Sequence, residues 1–152
     1  MITARWSLYG AVLAGCMAVG SSAQEPPLRP LSQHLEQGEP DDSASLHYVA
    51  SRCSVLFSLV GVQRGNRGDR GSAEMYTDWA IGFQTVALRT ATEAAGTTQE
   101  ALSEIEEDFE RIRGVLDERM RRSMAGGNRY GYDPLIASDV RTCRDLVDQL
   151  RL

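Results

Sequence analysis

Cysteine has the most specific chemistry in this chain, and two of the three cysteines lie within apolar helical patterns. Cys53 lies in the stretch 46–62 and Cys143 in the stretch 135–150, where apolar residues recur every three or four positions. This spacing places each thiol near the middle of a helix and on its buried face. We therefore predict a disulfide between Cys53 and Cys143 that joins the first and last helices of the domain.

Arginine is the second residue type with binding chemistry, because all sixteen basic residues are arginines and two glycine-containing loops concentrate them. Guanidinium groups bind phosphate, sulfate or carboxylate, and helix N-termini favour the same anions. In an up-down-up-down bundle, the loop after the first helix and the loop after the third lie at one end. There we predict an anion- or partner-binding cap made of Arg64, Arg67, Arg70, Arg121, Arg122, Arg129, Tyr130 and Tyr132.

The same two loops have a simpler interpretation as ordinary solvated connections. Acidic residues lie near the arginines in sequence and would neutralise much of their charge, namely Asp69, Asp117, Glu118 and Asp133. Both interpretations place the loops together. They differ in whether the guanidinium groups are available to a ligand.

The sequence contains no motif for catalysis, cofactor binding or metal binding. A P-loop, a dinucleotide fingerprint, a haem-attachment motif and a Gly-x-Ser-x-Gly elbow are all missing. Its two histidines, His34 and His47, and its cysteines do not have the spacing of a zinc ligand set. His47 is expected at the surface, beside the apolar stripe of the first helix. We therefore expect no cofactor, no metal and no enzymatic activity.

The N-terminal segment has the features of an export signal. Arg5 precedes a mostly apolar run over 6–19, which is shorter than the roughly 20 residues of a membrane-spanning helix. Small residues at 21–23 would permit cleavage before Gln24. Residues 1–23 are therefore predicted to be a signal peptide of a periplasmic protein.

A second interpretation of this segment involves the remaining cysteine. The sequence Leu13-Ala14-Gly15-Cys16 resembles a bacterial lipobox, which implies a signal over 1–15 and a lipidated Cys16. The chain would then be an outer-membrane lipoprotein that touches the membrane only through its lipid anchor. In both interpretations Cys53 and Cys143 are the only pair left in an oxidising compartment.

The rest of the chain divides into a tether and a helical domain. Residues 24–42 hold four of the five prolines and little apolar pattern, which predicts a disordered tether. The domain is expected over 43–152, with short connections that make consecutive helices antiparallel neighbours. We predict an all-α, antiparallel up-down-up-down four-helix bundle. Its helices are expected over 46–62, 73–95, 99–124 and 135–150, with Ser72, Thr97 and Asp133 as N-caps.

These features favour an exported, non-catalytic binding protein of the bacterial cell envelope whose partner is another envelope protein or an anionic ligand. The net charge of −5 argues against a general nucleic-acid-binding role. One alternative is a protein inhibitor or immunity-type module that uses the acidic face of the third long helix. A second alternative is an enzyme with an unrecognised site.

Overall fold

A computed structural model of the chain describes residues 28–37, 43–95, 97–128 and 131–152. These residues form five helices and no strand, so the predicted all-helical fold is confirmed. The helices are α1 Leu31–Gln37, α2 Ser43–Asn66, α3 Arg70–Ala95, α4 Thr98–Ala125 and α5 Pro134–Leu150. The predicted export signal with Cys16 lies outside the described residues, as do Arg129 and Tyr130 of the predicted cap.

Helix α2 is the central element of the bundle. The predicted helix had a single buried face, but all nine residues from Val49 to Phe57 are buried, because α3, α4 and α5 all pack against it. A helix that is apolar on all sides belongs inside a protein or a membrane. The length and composition of α2 would suffice for a membrane span, but 67% of its apolar window is buried within the protein. Packing within the protein core therefore explains why α2 is so apolar.

Gly61 is a packing position within α2, and the helix continues beyond the end predicted at residue 62. A Cβ atom there would lie 3.3 Å from the Ala73 carbonyl oxygen and from the Thr77 hydroxyl. The glycine therefore allows α2 and α3 to approach closely, and α2 continues to Asn66. The predicted helices over 46–62 and 73–95 left ten residues between them, whereas only residues 67–69 separate α2 from α3.

Helix α1 corrects the prediction that residues 24–42 are a disordered tether. Residues 31–37 are helical, and Leu31 is completely buried in the main core. The backbone N–H of Leu31 donates to Asp139 at 2.9 Å, and the His34 ring lies 4.8 Å from the Tyr48 ring. One well-placed leucine and these polar contacts hold the segment, although its composition is typical of disorder. Residues 24–27 and 38–42 lie outside the described part of the chain.

Side-chain caps fix where α3, α4 and α5 begin. Thr97 accepts a hydrogen bond from the Glu100 N–H at 3.2 Å, and Asp133 accepts one from the Ile136 N–H at 2.9 Å, as predicted. The prediction that Ser72 caps α3 was wrong. Asp69 is the capping residue, since its carboxylate accepts the Ser72 N–H at 3.2 Å.

The predicted disulfide between Cys53 and Cys143 is confirmed. Both cysteines are completely buried, and their Cα atoms lie 5.6 Å apart. The bond closes a sequence separation of 90 residues and ties the central helix to the last helix.

Candidate functional site

A buried ion pair lies directly beside the disulfide, and sequence reasoning missed it. The guanidinium of Arg52 donates a hydrogen bond to the Asp139 carboxylate and a second one, of 2.9 Å, to the Tyr48 hydroxyl. The other oxygen of Asp139 accepts the Leu31 N–H. We call Arg52, Asp139, Tyr48 and Leu31 the buried junction, because they join α1, α2 and α5.

The buried junction is closed to solvent. The side chains of Arg52 and Asp139 are 1% and 0% exposed, so no ligand reaches them from the surface. Burial raises the pKa of Asp139, and the positive charge of Arg52 opposes that rise. This arrangement is suited to holding helices together and not to catalysis.

A sequence signal for the buried junction did exist. Asp139 precedes Cys143 by four residues, which places both side chains on the same face of α5. Arg52 immediately precedes Cys53 in a helix that is buried on all sides. A charged residue on each of two buried faces joined by a disulfide indicates an internal ion pair.

His47 is a buried residue, so the prediction of a surface histidine was wrong. Its Nδ1 lies 3.2 Å from the Ala87 carbonyl oxygen, and its Nε2 lies 3.1 Å from an Asp108 carboxylate oxygen. Asp108 also accepts a hydrogen bond from Arg111 at 2.6 Å. The imidazole therefore connects α2 to both α3 and α4.

A small cavity of about 230 Å³ lies next to His47, between α2, α3 and α4. Its walls include Tyr48, Thr90, Glu104 and Asp108. Both nitrogens of His47 already face acceptor atoms, so neither is placed to take a proton from a nucleophile. The Thr90 hydroxyl donates to backbone carbonyls of its own helix. Among the described residues, no hydroxyl that lines the cavity forms a hydrogen bond with His47.

The two arginine-containing loops lie at one end of the bundle, which we call the loop end. Gln63 of α2 contacts the Met124 sulfur of α4 at 3.5 Å. Tyr132, just before α5, lies near Arg64 and Arg67. Burial raises the pKa of Tyr132, while these two positive charges act to lower it. Of the predicted cap, the described residues that the helix ends place at this end of the bundle are Arg64, Arg67, Arg70, Arg121, Arg122 and Tyr132.

Acidic side chains pair with most of the arginines at the loop end. Arg64 lies 3.5 Å from Asp69, Arg122 lies 3.0 Å from Glu118, and Arg119 lies 2.5 Å from Asp133. Arg121 is also paired, with Asp117 at 3.1 Å and with Glu118 at 2.9 Å. The N-termini of α3 and α5 are occupied by their own aspartate caps. This pairing corresponds to the simpler interpretation, in which the loops are self-neutralised.

A groove between α3 and α5 differs from the loop end, because its charged side chains are not paired with one another. It has a volume of about 360 Å³ and is lined by Trp79, Arg141, Arg144, Asp145 and Asp148. The spacing of Arg141 to Asp145 and of Arg144 to Asp148 would allow ion pairs along one helix. Within the described residues, however, none of these four charged side chains forms an ion pair or hydrogen bond. No sequence pattern distinguished these residues, because they resemble any solvated helix face.

Neither a group of metal-binding side chains among the described residues nor a similar known protein points to a ligand. Among the described residues, no three His, Cys, Asp or Glu side chains are grouped so that they could hold a metal ion. No protein-family model, no curated protein and no solved structure matches this chain.

Proposed function

We propose that this chain is an exported, non-catalytic binding protein of the bacterial cell envelope, and that the groove between α3 and α5 holds its ligand. The observation that carries the proposal is the set of unpaired charges in that groove. Arg141 and Arg144 are exposed and lack an acidic partner among the described residues, whereas Arg64, Arg121 and Arg122 at the loop end all have one. A ligand in the groove therefore need not displace an existing ion pair.

The geometry around His47 supports a non-catalytic role. General-base catalysis needs an imidazole nitrogen that can accept a proton, and both nitrogens of His47 are directed at acceptors. His34 is the other histidine, and it contacts the Ser45 hydroxyl at 3.1 Å while its ring packs on Tyr48. Both histidines thus have a packing role that explains their positions.

The disulfide supports export, because such bonds persist in oxidising compartments. Intact-mass analysis of the protein from its native host tests this part of the proposal. We expect a mature chain that begins at Gln24 or at a lipidated Cys16. The variant Cys16→Ser should process normally in the first case and lose its lipid in the second. A chain that retains Met1 and stays in the cytoplasm would contradict export.

Ligand binding is tested by thermal unfolding with the low-molecular-mass fraction of an envelope extract. We expect the extract to raise the unfolding temperature of the wild-type protein but not of Arg141→Ala/Arg144→Ala. The matched control, Arg121→Ala/Arg122→Ala, removes the same charge from the loop end and should respond like wild type. A response lost only in the control would place the site at the loop end. If the extract stabilises none of the proteins, small-ligand binding is rejected.

The inhibitor or immunity-type alternative has one observation in its favour. Glu106, Glu107 and Glu110 on α4 are exposed and form no ion pair with another described residue. Arg111, four residues after Glu107, pairs with Asp108 instead. The variant Glu106→Gln/Glu107→Gln/Glu110→Gln should lose a basic protein partner under this alternative, while the groove variant should retain it.

A further inference from the structure

We infer that the groove recognises both charged ends of a zwitterion, and that its ligand is a short peptide with a free ammonium and a free carboxylate. This inference rests on the proposed function, since it names the ligand class of the same groove. It depends on the order of charges along α5, on the aromatic wall formed by Trp79 and on the size of the groove.

The charges that line the groove are separated by sign along α5. Arg141 and Arg144 come first, and Asp145 and Asp148 follow nearer the C-terminus. The backbone midpoint of Arg141 and Arg144 lies about 6 Å along the helix axis from that of Asp145 and Asp148, because an α-helix rises about 1.5 Å per residue. This distance is comparable to the separation between the terminal charges of an extended dipeptide. The groove thus has a positive half and a negative half at a spacing that matches such a ligand.

The presence of both signs disfavours a simple anion or a simple cation. A phosphate drawn to Arg144 would lie close to the neighbouring Asp145, and an isolated ammonium drawn to Asp145 would lie close to Arg144. A zwitterion satisfies both halves at once, with its carboxylate on the guanidinium groups and its ammonium on the carboxylates. Arginine can contact that carboxylate through two parallel hydrogen bonds, which gives orientation as well as affinity.

Trp79 provides the wall on the α3 side. Its ring lies 5.4 Å from the Phe57 ring and 5.4 Å from the Tyr76 ring, so the aromatic core holds it from the inner side. A half-buried, firmly held indole offers a flat apolar surface to a ligand side chain at little entropic cost. The volume of about 360 Å³ suits a small ligand and is too small to enclose a folded partner.

Tryptophan fluorescence of the exported protein provides a direct measurement. The chain has two tryptophans, and both predicted processing schemes remove Trp6 and leave Trp79. The probes are the dipeptide alanyl-phenylalanine, its N-acetyl form, its C-terminal amide and inorganic phosphate. We expect the free dipeptide to bind at least about tenfold more tightly than either blocked form, which is a difference of about 1.4 kcal/mol. Phosphate should compete poorly.

Two double variants test which end of the dipeptide each charged half of the groove binds. Arg141→Ala/Arg144→Ala should abolish the preference for the free dipeptide over its amide while retaining the preference over the N-acetyl form. Asp145→Asn/Asp148→Asn should do the reverse. Arg121→Ala/Arg122→Ala serves as the matched control, and both preferences should persist in it. All the substituted side chains are on the surface, and circular dichroism would confirm that each variant remains helical.

Several results would overturn the inference. Equal binding of the free and N-acetylated dipeptides would show that the ammonium is not recognised, and efficient competition by phosphate would indicate a simple anion site. Dipeptide binding that is unchanged in both groove variants would place the peptide elsewhere. If the envelope extract stabilises the protein through the groove but the dipeptide does not bind, the zwitterion inference fails and the proposed function stands. If neither binds, both are rejected.

Discussion

The buried junction and the loop end use the same residue types, arginine and aspartate, in opposite surroundings. At the junction, the Arg52 and Asp139 side chains are 1% and 0% exposed, whereas Arg121 and Arg122 at the loop end are 60% and 73% exposed. Water and salt screen an exposed pair and leave it worth about 0–1 kcal/mol. A buried pair costs several kcal/mol to desolvate, so each partner depends on the other. Ion-pair geometry alone therefore does not tell how much a pair contributes.

The largest predicted effect is the loss of one partner in the buried junction. Asp139→Ala should lower the free energy of unfolding by about 3–5 kcal/mol, because Arg52 is left charged and buried without a counter-ion. It also removes the acceptor of the Leu31 N–H, so α1 should detach. Urea denaturation gives the free energy, and hydrogen exchange over residues 31–37 reports the state of α1.

A double variant separates the cost of an unpaired charge from the value of the pair. Arg52→Met/Asp139→Leu replaces the ion pair with apolar groups of similar size, and it should recover most of the stability lost in Asp139→Ala. The matched control is Asp117→Ala, which breaks the exposed pair with Arg121. It should change the free energy of unfolding by no more than about 1 kcal/mol. Equal losses in Asp139→Ala and Asp117→Ala would remove the distinction between the two regions.

The disulfide beside the buried junction should have the next largest effect. Cys53→Ala/Cys143→Ala should lower the free energy of unfolding by about 2–4 kcal/mol, mainly because the unfolded chain regains freedom over the loop that the bond closes. Thermal unfolding measures the loss, with the reduced wild-type protein as a comparison. The expectation would be contradicted if the reduced wild-type protein and the variant both unfolded at the same temperature as the oxidised protein.

The disulfide was predicted from the sequence and the buried junction was missed, although they are neighbours and Asp139 lies on the buried face of its helix. Apolar residues at helical spacing locate a buried face, and Cys53 and Cys143 conform to that pattern. Arg52 and Asp139 violate it, since a charged residue is expected in solvent. Their burial depends on a partner from another helix, which periodicity within one helix does not reveal. The same reason explains why α1 was taken for a tether: its main anchors are Leu31 and a carboxylate on α5.

His47 should have an intermediate effect, because it is buried and contacts both a backbone carbonyl and a carboxylate. His47→Ala should lower the free energy of unfolding by about 1–3 kcal/mol through lost packing and the loss of its polar contacts with Ala87 and Asp108. Because the bonds reach α3 and α4, the first half of α4 should exchange its amide hydrogens faster. Asp108→Asn keeps an acceptor for the ring and should lose less. A larger loss in Asp108→Asn than in His47→Ala would show that the contact to Arg111 dominates.

The site illustrates a second limit of sequence reasoning. That the two arginine loops share one end followed from the helix order, and the acids that would neutralise them were identifiable by proximity in sequence. The groove was not identifiable, because it combines Trp79 of α3 with an ordinary charged face of α5. In sequence, the four-residue spacing of Arg141 and Asp145 predicts an ion pair. Only their three-dimensional arrangement shows that they are separate.

The smallest predicted effect concerns Asp69, whose response to pH should be opposite to that of Asp139. Its hydrogen bonds with Ser72 lower the pKa of Asp69, whereas burial raises the pKa of Asp139. A lowered pKa means that the folded state favours the carboxylate. Asp69 therefore stabilises the fold above the unfolded pKa of about 3.9 and loses this contribution as the pH falls through its folded value. Asp139 behaves in the reverse sense, since stability linked to a raised carboxyl pKa declines as the pH rises.

Asp69→Asn tests this sign, because asparagine is also a good N-cap but does not titrate. We expect the wild type to be slightly more stable than Asp69→Asn at neutral pH, and the difference to shrink towards zero as the pH falls below about 4. Urea midpoints measured in parallel at several pH values would show the trend. Asp117→Asn, which changes an exposed carboxylate at the same end of the bundle, serves as the control. A difference that grows in acid would mean that folding raises the pKa of Asp69, which is the direction in which burial shifts the pKa of Asp139.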